Sequence, residues 1–167
     1  MRPSDSPYLS SDERLADVIA AIQAMGTYKF YKLDFKAWAD RISGDETQAD
    51  HWRLIFEQHP EFFRLDSPRQ RASLVWRRQR QKLYDVDADQ NIPKAQLQNL
   101  SADQRQRLSR MPLKSDELAM LISTAINLHA RALEHKQDSR WKISAGLGFL
   151  GAVAGGVVAA VISAVAQ

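Results

Sequence analysis

Charge stops abruptly in this chain. The last charged residue is Lys142, and from Ile143 to Ala166 no side chain carries a charge, so that all 23 Lys and Arg and all 20 Asp and Glu lie upstream. A helix over 143–166 would rise about 36 Å, against a bilayer hydrocarbon core of about 30 Å. Ile143, Leu147, Phe149, Leu150, Val153, Val157, Val158, Val161, Ile162 and Val165 each favour insertion by roughly 0.3 to 0.6 kcal/mol at the bilayer centre. The expectation is a single membrane-spanning helix and, with only Gln167 after it, a tail anchor. Arg140 and Lys142, with Lys136 before them and Trp141 at the interfacial level, predict that the larger upstream part faces the cytoplasm. The opening MRPSDSPYLSSDERL lacks the apolar run of a secretory signal, which agrees with a cytosolic upstream part. The chain has no Cys, which excludes a disulfide framework, a thiolate metal site and a Cys nucleophile.

Small residues in the predicted span fall into rows. Every fourth position reads Ser144, Gly148, Ala152, Gly156, Ala160 and Ala164, and a neighbouring row reads Gly151, Gly155, Ala159 and Ser163. Such rows flatten one helix face and let another backbone approach, so Ser144, Gly148, Gly151, Ala152, Gly155, Gly156, Ala159 and Ala160 are candidate helix–helix packing residues for a homo-oligomer. Upstream, 115–140 reads as one amphipathic juxtamembrane helix. Ser115 can cap it, Asp116 and Glu117 suit its first turn, and Leu118, Leu121, Ile122, Ala125, Ile126, Leu128, Ala132 and Leu133 form its apolar stripe. That stripe either packs on the chain's own domain or enters a coiled coil.

After a flexible stretch over 1–8, residues 9–84 read as a folded domain. Ser10 and Glu13 have the spacing of a capping box, and Leu15, Val18, Ile19, Ile22 and Met25 share a helical face that stops at Gly26. TYKFYKL, 27–33, suits a short strand. Asp34 can cap a second helix ending at Gly44, with Phe35, Trp38, Ala39 and Ile42 on one face. A third helix over 46–58 carries Ala49, Trp52, Ile55 and Phe56 inward, and two strand-like runs, 61–66 and 73–78, follow around the polar turn Ser67-Pro68-Arg69-Gln70. Trp38, Trp52 and Trp76 are expected in the core. The order helix, strand, helix, helix, hairpin over about 8–82 resembles the winged-helix domain at the level of fold, which implies a binding module for duplex DNA or for protein. The whole chain then reads as mainly α with a small β-hairpin: a winged-helix-like domain, a hinge with a short helix over 94–110 within 85–114, the juxtamembrane helix, and the transmembrane helix over 143–166.

Charge divides within the domain. The third helix and its entrance carry Asp45, Glu46, Asp50 and Glu57 against Arg53, which disfavours phosphate. The hairpin region has the opposite bias: Arg64, Arg69, Arg71, Arg77, Arg78, Arg80 and Lys82 form a basic patch against Asp66. Such a patch suits nucleic acid, an acidic protein or anionic lipid, or is an ordinary solvated surface.

No chemistry-bearing constellation stands out. His51, His59, His129 and His135 lack metal-ligand spacing. Asp85, Asp87, Asp89 and Asn91 have the spacing of the start of a calcium loop, yet Gln90 stands where such a loop needs Gly and Gln96 where it needs a bidentate Glu, so a polar hinge is expected there. With no phosphate-cradling Gly loop and no nucleophile elbow, neither enzyme, cofactor nor metal is expected. The expected function is a membrane-anchored cytosolic interaction or adaptor module. Two alternatives stay open: a membrane-tethered nucleic-acid-binding regulator, and an oligomerising effector whose small-faced helices perturb the bilayer.

Overall fold

The structure, a computed structural model, describes residues 6–138. The chain forms two compact units, Met1–Asn127 and Leu128–Gln167. The first opens with a 3-10 turn, Pro7–Leu9, and continues into helix α1, Arg14–Thr27. Glu13 is the cap residue of α1 and makes no side-chain cap bond, while the Ser10 hydroxyl donates to the Pro7 carbonyl at 2.8 Å, so the expected capping box does not form. Of the expected face, Val18, Ile22 and Met25 are buried and Leu15 and Ile19 half-buried, and Ala21 joins the buried set.

Strand β1, Lys32–Asp34, leads directly into α2, Phe35–Ser43. Asp34 Oδ1 accepts the Ala37 N–H at 2.9 Å, and the helix ends at Gly44 with φ 73°, a left-handed cap that glycine adopts without a Cβ clash. A 3-10 turn, Glu46–Gln48, precedes α3, Ala49–Gln58. Strands β2, Phe63–Leu65, and β3, Arg71–Leu74, form an antiparallel hairpin, and β1 pairs with the other edge of β3 to give the order β1-β3-β2. Leu33, Ala72 and Leu65 align across one face, with Phe63 opposite Leu74. Helices cover that face: Trp38 Nε1 donates to the Ala72 carbonyl at 2.9 Å, and the Phe56 and Phe63 ring centroids lie 5.1 Å apart. Trp38 and Trp52 are buried, whereas Trp76 is half-exposed.

Beyond β3 the structure departs from the sequence pattern. A single turn, α4, Val75–Arg78, replaces the end of the expected second strand. Strands β4, Tyr84–Asp85, β5, Gln90–Asn91, and β6, Leu108–Ser109, then form a second three-stranded sheet in the order β5-β4-β6. The segment expected as a polar hinge is therefore folded. The helix expected over 94–110 is divided into a 3-10 segment, Lys94–Asn99, a short α5, Ala102–Gln106, and β6. A capping box between Ser101 and Gln104 starts α5 afresh. The aspartates of the β4–β5 turn are engaged locally: Asp85 Oδ1 accepts the Asp87 and Ala88 N–H groups, Tyr84 donates to Asp89, and Asp87 pairs with Arg107. Among the described residues no cluster of three or more His, Cys, Asp or Glu side chains is placed to hold a metal ion.

Helix α6 begins at 115 and occupies the rest of this unit to 127. Its cap is Lys114 and not Ser115: the Leu118 N–H meets the Lys114 carbonyl at 3.0 Å, and the Glu117 carboxylate accepts the Lys114 N–H at 2.8 Å. Leu121 and Ala125 are buried and Leu118 half-buried, so this part of the apolar stripe packs on the chain's own domain. Gly26, in the last turn of α1, makes the approach possible. A Cβ at that position would stand 2.3 Å from Leu118 Cδ2 and 3.7 Å from Leu113 Cδ1. In the second unit, the described residues 128–138 are helical.

The membrane-spanning architecture expected from the sequence requires correction. Among the described residues no helix is long and apolar enough to cross a membrane. Residues 115–138 are helical over a sufficient length, but Asp116, Glu117, Arg131, Glu134, Lys136 and Asp138 interrupt any apolar run. The descriptions single-pass, tail-anchored and transmembrane accordingly do not apply to the helices that the structure describes. The segment 143–166 and the packing residues Ser144, Gly148, Gly151, Ala152, Gly155, Gly156, Ala159 and Ala160 lie outside the described residues.

Two polar clusters hold the first unit together. The larger centres on Arg77, whose side chain is fully buried. Nη1 donates to the carbonyls of Met25 and Tyr28, and Nη2 to those of Lys29 and Arg110. One guanidinium thus joins the end of α1 to the segment after β6. Burial, assisted by the nearby Arg80 guanidinium, draws its pKa down to about 10, so it remains charged at neutral pH. Arg110 reciprocates by donating to the Arg78 and Arg80 carbonyls, with its guanidinium 4.9 Å from the Tyr31 ring centroid. Arg80 donates to the Pro112 carbonyl at 2.7 Å and pairs with Glu117 on α6.

The smaller cluster pins the segment before α1. Tyr8 donates to Glu61 Oε1 at 2.7 Å, and the same oxygen lies 3.0 Å from Nδ1 of the buried His59. The Tyr8 and His59 rings meet edge to face at 4.5 Å. Burial pushes the Glu61 pKa up, but the bonds from His59 and Tyr8 outweigh it and hold the carboxyl below its ordinary 4.5.

Replacing Arg77 with Met should strand buried carbonyls and lower stability by roughly 3 kcal/mol or more. Arg77→Lys should recover only part of that loss, because an ammonium cannot span the fork. Urea unfolding checks both, as a fall in midpoint at constant slope. For Glu61, a depressed native pKa means a contribution that is complete above the ordinary carboxylate range and lost as pH falls through the native value. Protection of the Leu9 and Ser10 amides, taken as the exchange rate relative to the intrinsic rate at each pH, should therefore fall as pH drops below the ordinary carboxylate range. Tyr8→Phe should cost about 1 kcal/mol at neutral pH and blunt that acid response.

Candidate interaction surface

The hairpin cations do not form one patch. Arg77 is spent inside the fold, Arg80 is tied to Glu117, and Arg69, at the turn with φ 56°, pairs with Glu57 at 3.1 Å. Arg78 is exposed on α4, and Lys82 is exposed just before β4. Arg64 and Arg71 remain on the sheet itself.

Strand register decides what surrounds those two. Lys32, Ser73 and Arg64 align across β1, β3 and β2, and Asp34 aligns with Arg71. Because alternate residues of a strand share a face, Lys32, Asp34, Arg64, Arg71 and Ser73 lie opposite the helix-covered face. Arg64 and Arg71 are exposed there, and Lys32 reaches Asp66 at 3.8 Å. Asp66 shapes the turn: its Oδ1 accepts the Gln70 N–H at 3.0 Å and the Arg71 N–H at 3.1 Å. Burial raises its pKa, but these two bonds, with Lys32 and Arg71 nearby, leave the carboxyl below its ordinary value.

The exposed side of α3 has a different character. Asp50 is exposed in its first turn, after Asp45 and Glu46. Its one cation, Arg53, donates to Glu57 at 3.1 Å and lies 5.6 Å from the Phe35 ring centroid. Glu57 accepts from both Arg53 and Arg69, and these bonds hold its carboxyl below the ordinary range despite some burial. His51 Nε2 stands 3.3 Å from Asp17 Oδ2, which adds a further acid from α1 to this side. Leu54 is 45% exposed among these groups.

Sequence reasoning missed Lys32 as a member of the basic face, since it belongs to a strand remote from the hairpin in sequence. The strand expected over 27–33 is confined to Lys32–Asp34, since α1 runs on to Thr27, and too little alternation is left to show which way Lys32 faces. Sequence reasoning also missed a groove beside the second sheet, lined by Lys82, Leu97, Gln98, Arg105 and Leu108. Two-residue strands leave no periodicity by which to find it. Comparison with protein-family models, with curated proteins and with solved structures finds no match to this chain.

Proposed function

We propose that the first unit is a non-catalytic interaction module, winged-helix-like over 8–82, that holds an anionic protein partner on the outer face of its β1-β3-β2 sheet. The observation that carries this reading is the state of Arg64 and Arg71. Most other hairpin arginines are engaged within the fold, whereas these two are exposed and enter no ion pair among the described residues; Ser73 stands between Arg64 and Lys32, and Arg71 lies opposite Asp34. The order of elements and the sheet order support the winged-helix comparison. The acids around α3 favour protein over nucleic acid, because a helix that enters a groove of duplex DNA needs donors and cations where this one presents Asp50 and a neutralised Arg53. Exposed arginines of this kind mainly set encounter rate and choice of partner, and their contribution falls with added salt.

Affinity capture with the full chain and with Arg64→Glu/Arg71→Glu tests the proposal. The expected result is a partner retained by the native chain and lost by the variant, with unchanged thermal unfolding. Titration of duplex DNA at moderate salt should give no salt-steep binding; a log–log salt slope of several units would establish the nucleic-acid alternative instead.

A further inference from the structure

The groove beside the second sheet has a defined chemistry. Leu97 and Gln98 of the 3-10 segment form one wall, Arg105 of α5 forms another, Leu108 of β6 lies in the floor, and Lys82 stands at the entrance to β4. The walls are tied to each other: Arg105 Nη2 donates to the Gln98 carbonyl at 3.2 Å, and the Ser101–Gln104 capping box fixes the bend between them. Leu108 is held by strand pairing with Asp85. The groove is shallow and open to solvent, with a volume of about 390 Å³. Its residues are leucine, glutamine and two cations, with no acid among them. Among the described residues Lys82 makes no ion pair, and the Arg105 head donates to a neutral carbonyl.

A cleft with this lining selects against cations and against wholly polar segments. Apolar surface is favourable only for an occupant that brings apolar surface of its own. Two cations with no carboxylate partner among the described residues favour carboxylates on either side of the groove. We propose that this groove seats a leucine-like side chain from an acidic segment of a partner protein, with flanking carboxylates meeting Lys82 and Arg105. The proposal rests on the reading that the domain holds a protein partner, and it adds an anchoring pocket to the flat basic face of the first sheet.

The test uses the isotope-labelled full chain and a short glutamate peptide with one central leucine as probe. Amide shifts are expected at Lys82, Leu97, Gln98, Arg105 and Leu108. Replacing the peptide's leucine with glycine, or its glutamates with lysines, should remove them. Lys82→Glu/Arg105→Glu should weaken binding by about tenfold or more without altering the shifts of α1–α3 residues. Lys82→Gln/Arg105→Gln, which introduces no repulsion, should weaken it by a smaller factor. The inference is refuted if no shifts occur, if they map to Lys32, Arg64 and Arg71, or if the glycine or lysine peptide binds equally. Partner capture separates the two readings: loss in the Arg64→Glu/Arg71→Glu chain alone refutes the groove and leaves the interaction module standing. Loss in neither variant refutes both.

Discussion

A buried guanidinium surrounded by backbone carbonyls is an uncommon centre for a small fold, since a desolvated charge is costly unless its donors are satisfied. Arg77 meets that condition at its two terminal nitrogens, with the carbonyls of Met25, Tyr28, Lys29 and Arg110, while its buried Nε has no partner among the described residues. These acceptors have one property in common: they lie where regular structure ends, in the last turn of α1 or just beyond it, and after β6. Carbonyls at such ends lack ladder partners and would otherwise need water. The planar fork of arginine supplies donors in several directions at once, which is why a lysine or a water would not serve equally. The second sheet can therefore be small, with two-residue strands, because its return segment is fixed by side chains as well as by strand pairing.

This arrangement changes how the charge of the chain should be understood. A net charge of +3 and a run of arginines after β3 suggest a surface made for anions. Much of that charge instead faces inward or is matched: Arg77 to carbonyls, Arg80 to Glu117, Arg107 to Asp87, and Arg53 and Arg69 to one carboxylate, Glu57. Exposed cations outside these contacts include Lys29, Lys36, Arg78, Lys94 and Lys114. Arg64 and Arg71 stand on a sheet face, and Lys82 and Arg105 flank an apolar groove.

The first half of the fold was legible because its signals are local. Asp34 before Phe35 and Gly44 after Ser43 bracket α2, and an inward face of Trp52, Ile55 and Phe56 on α3 needs only helical spacing. The second sheet was not legible, since strands of two residues carry no alternation and Tyr84, Asp85, Gln90 and Asn91 pair across a turn whose Asp87 is held by the remote Arg107. The Arg77 site was hidden for a different reason. Its partners are main-chain oxygens, which exist at every position and leave no mark in the sequence. A density of arginine looks the same whether it faces water or carbonyl groups.

Apolar spacing in α6 shows a similar limit. The stripe from Leu118 to Ile126 was compatible with the chain's own domain or with another helix, and nothing in the stripe itself could decide. The deciding residue is Gly26, remote in sequence, whose missing side chain opens the seat taken by Leu118. Leu121 and Ala125 then continue the contact, while Met120 and Ile126, on other sides of the helix, stay exposed. An amphipathic pattern states that a face will be covered; which surface covers it depends on where the rest of the chain has left room. Packing of α6 on α1 and the arginine bonds around 110–117 reinforce one another, because Arg80 grips Glu117 in the turn that Leu118 anchors. Apolar contact sets the seat, and the ion pair fixes the direction from which the helix enters it.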